Sequence, residues 1–164
     1  MANAFNDFRI EKFEESKHGD LINKLTELLH AAYRPLAEKG MQYLATHQRP
    51  ETTLSRLKKG DSFLGFIGDE LVSTITIVKE DPHEPCAWYQ KPDVYFFTQF
   101  AVKPCYQGTG IGKKLMDFVE KYAFEDGAKE IALDTSEHAH HLIAMYEKRS
   151  YRFVEYAQWS VTNY

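Results

Sequence analysis

The sequence has little of what marks secreted, membrane-spanning or nucleic-acid-binding proteins. Its two cysteines, Cys86 and Cys105, are too few for a disulfide framework, which favours a reducing, cytoplasmic location. No apolar run approaches the roughly 20 residues that span a bilayer. The first residues lack the basic and apolar regions of a signal peptide. A formal net charge of −4 argues against a nucleic-acid-binding surface. We therefore expect a cytoplasmic protein that binds neither membranes nor nucleic acid.

Apolar residues make up 43% of the chain, enough for one globular domain over residues 1–164. Apolar positions at helical spacing predict helices over about 20–34, 50–60, 110–126 and 140–148. Short apolar or alternating runs predict strands over 8–13, 62–67, 71–78, 95–102, 129–134, 151–156 and 157–162. This order predicts a mixed α/β sheet with helices on both faces.

The most informative segment is Gln107-Gly108-Thr109-Gly110-Ile111-Gly112-Lys113, which joins the strand at 95–102 to the next helix. Three glycines leave the main chain bare at the positive end of the helix dipole, where successive N–H groups can hold a diphosphate. A Walker A loop would need glycine at 107 and Ser or Thr at 114, and a dinucleotide fingerprint would need glycine at 113. The chain has Gln107, Lys114 and Lys113 at these positions, so both loops fit badly.

The pattern that does fit is Q-x-x-G-x-G at Gln107, Gly110 and Gly112, which resembles the acyl-CoA-binding signature of the GNAT superfamily of N-acetyltransferases. The segment from Tyr146 to Tyr151 is similar to that family's Y-E-K-x-G-F, with serine in place of the glycine. The resemblance covers nearly the whole chain and is weakest before residue 60. It implies a three-layer α/β (α+β) fold with about four helices and a mixed, mostly antiparallel, seven-stranded sheet. The central parallel strands of that sheet splay apart.

The resemblance also implies acetyl-CoA as cosubstrate and no metal. Pantetheine would lie between the splayed strands, against the main chain of Phe100, Ala101 and Val102. The N–H groups of residues 107–113 would hold the diphosphate. The side chains of Lys113 and Lys114 would add positive charge, unless they are simply solvated.

Members of this family commonly attack the thioester directly and use a tyrosine phenol as the general acid, and Tyr146 occupies the matching position. A phenol with a pKa near 10 donates to a thiolate whose thiol has a pKa near 8.5 at a cost of about 2 kcal/mol. That is small beside the roughly 8 kcal/mol or more that enzymes remove from a barrier. The N–H of Val102 would stabilise the oxyanion. Without the flanking match, Tyr146 would be interpreted as a core aromatic one turn after Leu142.

Two residues common in the family are missing. Residues 95–100 contain no carboxylate where many relatives place a glutamate base, so Asp134, Glu137, His138 or no base at all stay open as alternatives. Ala139 stands where an asparagine normally contacts the cofactor, and a neighbouring histidine is a candidate substitute.

The leading hypothesis is an enzyme that moves an acetyl group from acetyl-CoA to a primary amine of an unidentified small-molecule or peptide acceptor. The attack would occur directly in a ternary complex. The missing carboxylate and asparagine favour an alternative, a non-catalytic acyl-CoA-binding sensor or regulatory module. A nucleotide-binding protein that uses the glycine loop is a third interpretation. The acceptor pocket is expected from residues 30–50, 79–93 and the final hairpin, whose short last strand could pair in a homodimer.

Overall fold

The computed structural model of the chain describes residues 7–164, and residues 1–6, on which the expectation of no signal peptide rests, lie outside the described residues. Its sheet has five strands in sequential order, β1 to β5. They are Phe8–Lys12, Asp61–Ile67, Glu70–Val78, Val94–Val102 and Glu130–Ala132. The first four strands pair antiparallel, and β4 and β5 pair parallel. The prediction of a mixed, mostly antiparallel sheet is confirmed.

Four helices longer than a single turn flank the sheet. They are α1 (Ile22–Glu38), α2 (Pro50–Leu57), α3 (Ile111–Glu125) and α4 (His140–Lys148). The apolar stripe of α3 packs on one face of the sheet, and those of α1 and α2 pack on the other. Adjacent residues of β2 show this alternation, since Phe63 joins the α3 side and Leu64 the α1 side. The result is the predicted arrangement of helices on both faces.

Two sequence-based expectations are wrong. The sheet has five strands rather than seven, because residues 151–162 form no strand; Phe153 and Tyr156 are 68% and 77% exposed. The alternating apolar pattern of residues 151–162 suits a strand. However, β5 has only three residues and offers few main-chain groups with which another strand could pair. The first helix does not end at Pro35 but continues to Glu38. The burial of Leu36 against Met41 offsets the free-energy cost of the one helical hydrogen bond that Pro35 removes.

A β-bulge interrupts β4 and was not predicted. Thr74 pairs with Ala101 and Thr76 pairs with Thr98, so one residue of β3 faces two residues of β4. Gln99, in the bulge, has a φ of +51°, which is uncommon for any residue but glycine. The bulge bends the strand at its centre.

The bent strand β4 diverges from β5 after three paired residues. The two strands pair only over Val94–Phe96 and Glu130–Ala132. Beyond these pairs, residues 97–102 of β4 have no strand on that side within the part of the chain that the structure describes. The carboxyl half of β4 therefore borders a gap of the kind expected between splayed parallel strands.

Ser150 follows the end of the last helix and stands where the resembling family has glycine. The N–H of Tyr151 donates to the carbonyl of Tyr146 (3.1 Å), and the N–H of Ser150 donates to that of Glu147 (2.9 Å). These two bonds define a Schellman motif, whose C′ residue is left-handed. Ser150 accordingly has a φ of +71°. The helix thus ends as it would with glycine, at the cost of a strained serine.

We expect Ser150→Gly to raise the free energy of unfolding by about 0.5–1 kcal/mol. Glycine removes a left-handed penalty of roughly 1–2 kcal/mol, and its greater entropy in the unfolded state offsets part of that gain. Urea denaturation measures the change. Ser55, exposed inside α2, is the matched control, and Ser55→Gly should instead lower stability by about 0.5 kcal/mol. A loss of stability in Ser150→Gly would contradict the strain at this position.

None of the helices that the structure describes has the length and apolar character needed to cross a membrane. Over residues 7–164, the His, Cys, Asp and Glu side chains form no group of three suited to a metal ion.

Candidate active site

The glycine loop lies between β4 and α3, as predicted. Gly108 and Gly110 have φ values of +75° and +93°, and Gly110 is the N-cap of α3. The left-handed backbone at these two positions is why glycine is needed there. Within the described residues, the N–H groups from Gly108 to Lys113 have no backbone acceptor. The first turn of a helix leaves such donors free for an anion.

Gln107 supports the loop. Its N–H donates to the carbonyl of Pro104 (3.2 Å), and its side-chain Nε2 donates to the carbonyl of Val102 (3.0 Å). The donors available to a ligand therefore begin at Gly108. Lys113 is exposed and pairs with Asp117 at 2.7 Å.

The loop lies directly against the carboxyl half of β4. A Cβ added to Gly112 would lie 3.5 Å from Val102 Cγ2 and 3.6 Å from Phe100 Cζ. The carbonyl of Phe100 accepts a hydrogen bond from the Tyr33 hydroxyl (2.9 Å). Ala101 and Val102 pair with β3 on their other edge. The main chain of residues 100–102 is thus held along the edge that faces β3, next to the bare N–H groups.

A cavity of about 320 Å³ opens at the carboxyl ends of β4 and β5. Polar side chains from five parts of the chain line it: Tyr33 from α1, Arg56 from α2, Thr98 from β4, Asp134 after β5 and Tyr146 from α4. Convergence of polar groups from several elements in an apolar pocket is typical of a small-molecule site.

Tyr146, the predicted acid, lines this cavity and is half-buried. Its ring packs against those of Phe97 and Tyr151, with centroids 6.1 and 5.8 Å apart. Its hydroxyl has no hydrogen-bond partner among residues 7–164. Desolvation, and then the neighbouring Tyr33 and Tyr151, raise the pKa of this phenol well above its usual range. It therefore stays protonated, the state from which a general acid must start.

Of the proposed bases, only Asp134 lines this cavity beside β4. Glu137 is exposed and lines a second cavity that Tyr146 also reaches, and His138 is exposed and lines neither. A carboxylate oxygen of Asp134 accepts a hydrogen bond from the hydroxyl of Tyr89 (2.9 Å). Asp134 is exposed to solvent through the cavity, and the surrounding protein removes part of its hydration. This desolvation raises the pKa of Asp134, against the opposing effects of the Tyr89 bond and of Arg56.

The position of the missing asparagine is apolar. Ala139 is fully buried and belongs to a cluster with Leu36, Met41 and Tyr43. The two histidines that flank Ala139, His138 and His140, are both exposed and line neither large cavity.

A second, larger cavity of about 760 Å³ lies between β5 and residues 151–159. Tyr146, Tyr89 and Trp159 line both cavities, so they form the wall between them. The segment 79–93, from which part of the acceptor pocket is expected, reaches both cavities through Tyr89. Tyr89 stacks on Phe96 at 4.0 Å while its hydroxyl reaches Asp134.

Sequence reasoning missed Arg56. Its guanidinium donates to Oε1 of Gln48 at 2.6 Å and to the hydroxyl of Thr98. The available signal was helical spacing on α2, since Arg56 follows the buried Thr53 by three residues and so shares its inward face. The partners that orient it come from distant parts of the chain and leave no mark in the local sequence.

Comparison with known proteins gives two curated relatives, both from Bacillus subtilis (strain 168). An S-(2-succino)cysteine N-acetyltransferase is 28% identical over 130 residues, which cover 78% of this chain and 76% of that protein. An S-alkylcysteine N-acetyltransferase is 27% identical over 148 residues, covering 88% of this chain and 77% of that protein.

Two solved structures share the fold. A Pyrococcus horikoshii OT3 protein has a TM-score of 0.73 at 22% identity and covers 94% of both chains. A Bacillus subtilis acetyltransferase in complex with CoA has a TM-score of 0.62 at 23% identity, with 88% of this chain and 76% of that chain covered. The sequence model described as the acetyltransferase (GNAT) family matches residues 22–151, most of this chain. The chain therefore belongs to the GNAT acetyltransferase family.

Proposed function

We propose that this protein transfers the acetyl group of acetyl-CoA to a primary amine in a ternary complex, with Tyr146 as the general acid. The observation that carries the proposal is the phenol of Tyr146, which has no partner among residues 7–164 and lies in the cavity beside β4. The carboxyl end of the same strand leads into the glycine loop. One strand thus joins a place for the diphosphate to a place for the reaction.

In this proposal the N–H groups from Gly108 to Lys113 bind the diphosphate, and Gln107 holds the loop in place. Pantetheine runs along the main chain of Phe100, Ala101 and Val102 in the gap beside β4. The support is the bare main chain of the loop together with the unpaired edge of the strand. Such edge groups give an extended ligand directional hydrogen bonds.

The neutral amine attacks the thioester carbonyl, and the N–H of Val102 stabilises the oxyanion. When the C–S bond breaks, Tyr146 gives its proton to the departing thiolate and takes one back from the nitrogen of the adduct. The raised pKa of Tyr146 keeps the acid protonated but makes donation harder, by about 1.4 kcal/mol for each unit of pKa. Binding of the thiolate beside the phenol must offset that cost.

The relatives indicate which amines to try first. Both act on S-substituted cysteines, so we propose the α-amine of an S-substituted cysteine as the acceptor. An aromatic cavity wall that includes Tyr33, Phe97 and Tyr164 suits the apolar part of such a molecule.

The test is release of free thiol from acetyl-CoA with S-methylcysteine and other amines, together with mass analysis of the acetylated product. We expect turnover that depends on the acceptor. If CoA raises the melting temperature but no amine is acetylated, the protein is an acyl-CoA sensor instead. Stabilisation by ATP or NAD in place of CoA would favour a nucleotide-binding protein, since a ligand at 100 times its Kd adds about 2.7 kcal/mol.

A further inference from the structure

The cavity beside β4 holds four charged side chains, and two of them neutralise each other. Lys59 pairs with Glu84 and lies 3.5 Å from Asp81. The other two, Arg56 and Asp134, form no ion pair with any residue in 7–164, nor with each other. Arg56 is half-buried, where a charge normally has a partner, and Asp134 is open to the cavity, so both charges are available to a ligand.

Arg56 is built to hold an anion in a fixed orientation. Two of its five N–H donors bond to neutral oxygens, of Gln48 and Thr98, which leaves donors for a carboxylate. Gln48 is buried and is held in turn by hydrogen bonds of 2.7 Å to Thr53 and Gln99. A guanidinium clamped by a buried network loses little freedom on binding its ligand.

Asp134 supplies the opposite charge on the same cavity as Tyr146. Its carboxylate has one protein hydrogen bond, from Tyr89, and otherwise opens on the cavity. A carboxylate there would attract an ammonium group and could take its proton. The cavity therefore offers one site for a negative group and one for a positive group, beside the proposed acid.

We propose that Arg56 and Asp134 make this cavity a site for a free α-amino acid, with the α-carboxylate bound by Arg56 and the α-ammonium by Asp134. This inference rests on the proposed function and specifies its acceptor. Asp134 takes one proton from the ammonium and later releases it to solvent. The neutral amine forms the C–N bond, and the C–S bond of the resulting adduct then breaks. The second proton passes through Tyr146 to the thiolate, and the third stays on the amide nitrogen.

The charge balance excludes two other kinds of acceptor. A peptide N-terminus carries an amide in place of the α-carboxylate and would leave Arg56 without a partner. A side chain with further carboxylates, such as a succinyl group, would find no second unpaired cation, because Lys59 is neutralised by Glu84. The acceptor that fits has one carboxylate and an apolar side chain.

The experiment compares S-methylcysteine, its carboxamide and the decarboxylated amine 2-(methylthio)ethylamine as acceptors. We expect the wild-type protein to favour the free acid in kcat/KM by about 30-fold, since removing one partner of a desolvated ion pair has effects of this size. S-(2-succino)cysteine should be a poorer acceptor than S-methylcysteine. In Arg56→Gln the preference for the free acid should vanish through a higher KM for the acid, with little change for the carboxamide.

Controls separate this role from folding. Arg56→Lys should retain part of the preference for the free acid, because it keeps the charge. Arg49→Gln removes the same charge from an exposed position at the start of the same helix and should change nothing. Equal use of acid and carboxamide by the wild type, or an equal loss of both in Arg56→Gln, would overturn the inference.

The Asp134→Asn arm uses the pH profile of kcat/KM with S-methylcysteine. Because the base must be ionised, wild-type activity should rise as pH increases through the raised pKa of Asp134. That limb should disappear in Asp134→Asn, and a limb that persists would remove Asp134 from the proposal.

Calorimetry keeps the inference testable apart from turnover. S-methylcysteine should bind the CoA-loaded protein more tightly than its carboxamide does. If that preference is found without acetylation, the proposed function fails and the amino-acid site stands. If turnover is found without any preference, the proposed function stands and the amino-acid site fails.

Discussion

Replacing Tyr146 with phenylalanine is expected to lower kcat for acetyl transfer by about 1,000-fold, within the range that a general acid contributes. The phenol is the only part removed, and its hydroxyl has no protein partner among residues 7–164, so the fold loses no hydrogen bond. Binding of acetyl-CoA and the melting temperature should therefore change little. Steady-state kinetics with a saturating amine measures the effect.

Tyr122→Phe is the matched control. It deletes the same atom from another half-buried tyrosine, whose hydroxyl donates to Asp61 (2.7 Å) away from both cavities. This variant should keep kcat within about two-fold, since a partly exposed hydrogen bond contributes only modestly to stability. Full turnover by Tyr146→Phe at all pH values would remove Tyr146 from the mechanism.

The second large effect is expected from Gly112→Asp, which should raise the Kd for CoA at least about 100-fold. Two unit charges 4 Å apart repel by about 4 kcal/mol at an effective dielectric constant of 20, and the carboxylate would stand in the first turn of α3 beside the diphosphate. The free protein should be no less stable. The new Cβ finds ordinary contacts of 3.5 and 3.6 Å, and a carboxylate in the first turn of a helix is favourable.

The stabilisation of each variant by CoA, read from its melting temperature, gives the comparison. Gly19→Asp adds the same charge where a Cβ has no neighbour closer than 3.9 Å, and it should bind CoA normally. Unchanged CoA binding by Gly112→Asp would show that the diphosphate lies elsewhere. A glycine loop with free N–H groups would then be only a tight turn.

The sequence predicts those elements whose signals are local. The last helix was expected over 140–148 and is found there. This prediction succeeds because residues close together in the sequence determine both the apolar spacing of the helix and its end. The bulge at Gln99 has no such signal. A glutamine inside an apolar run gives no sign of a left-handed backbone, which is stabilised here by side chains from distant residues.

The same division applies to the candidate site. The glycine loop and Tyr146 are recognised by short patterns, and the structure brings both to β4. Arg56 and Asp134 are 78 residues apart in the sequence, and only the fold brings them to one cavity. Residues 151–162 have the alternation of strands but lack a long neighbour to pair with, which no local pattern reveals.

In the proposed function, the bulge at Gln99 would also link the binding of the two substrates. Gln99 touches the amide that clamps Arg56, and it lies in the strand immediately before the main chain assigned to pantetheine. If the proposed function holds, altering Gln48 or Gln99 to change the acceptor should disturb coenzyme binding as well. Changes of acceptor should start from Tyr164, which lines the cavity but belongs neither to the residues that hold Arg56 nor to β4.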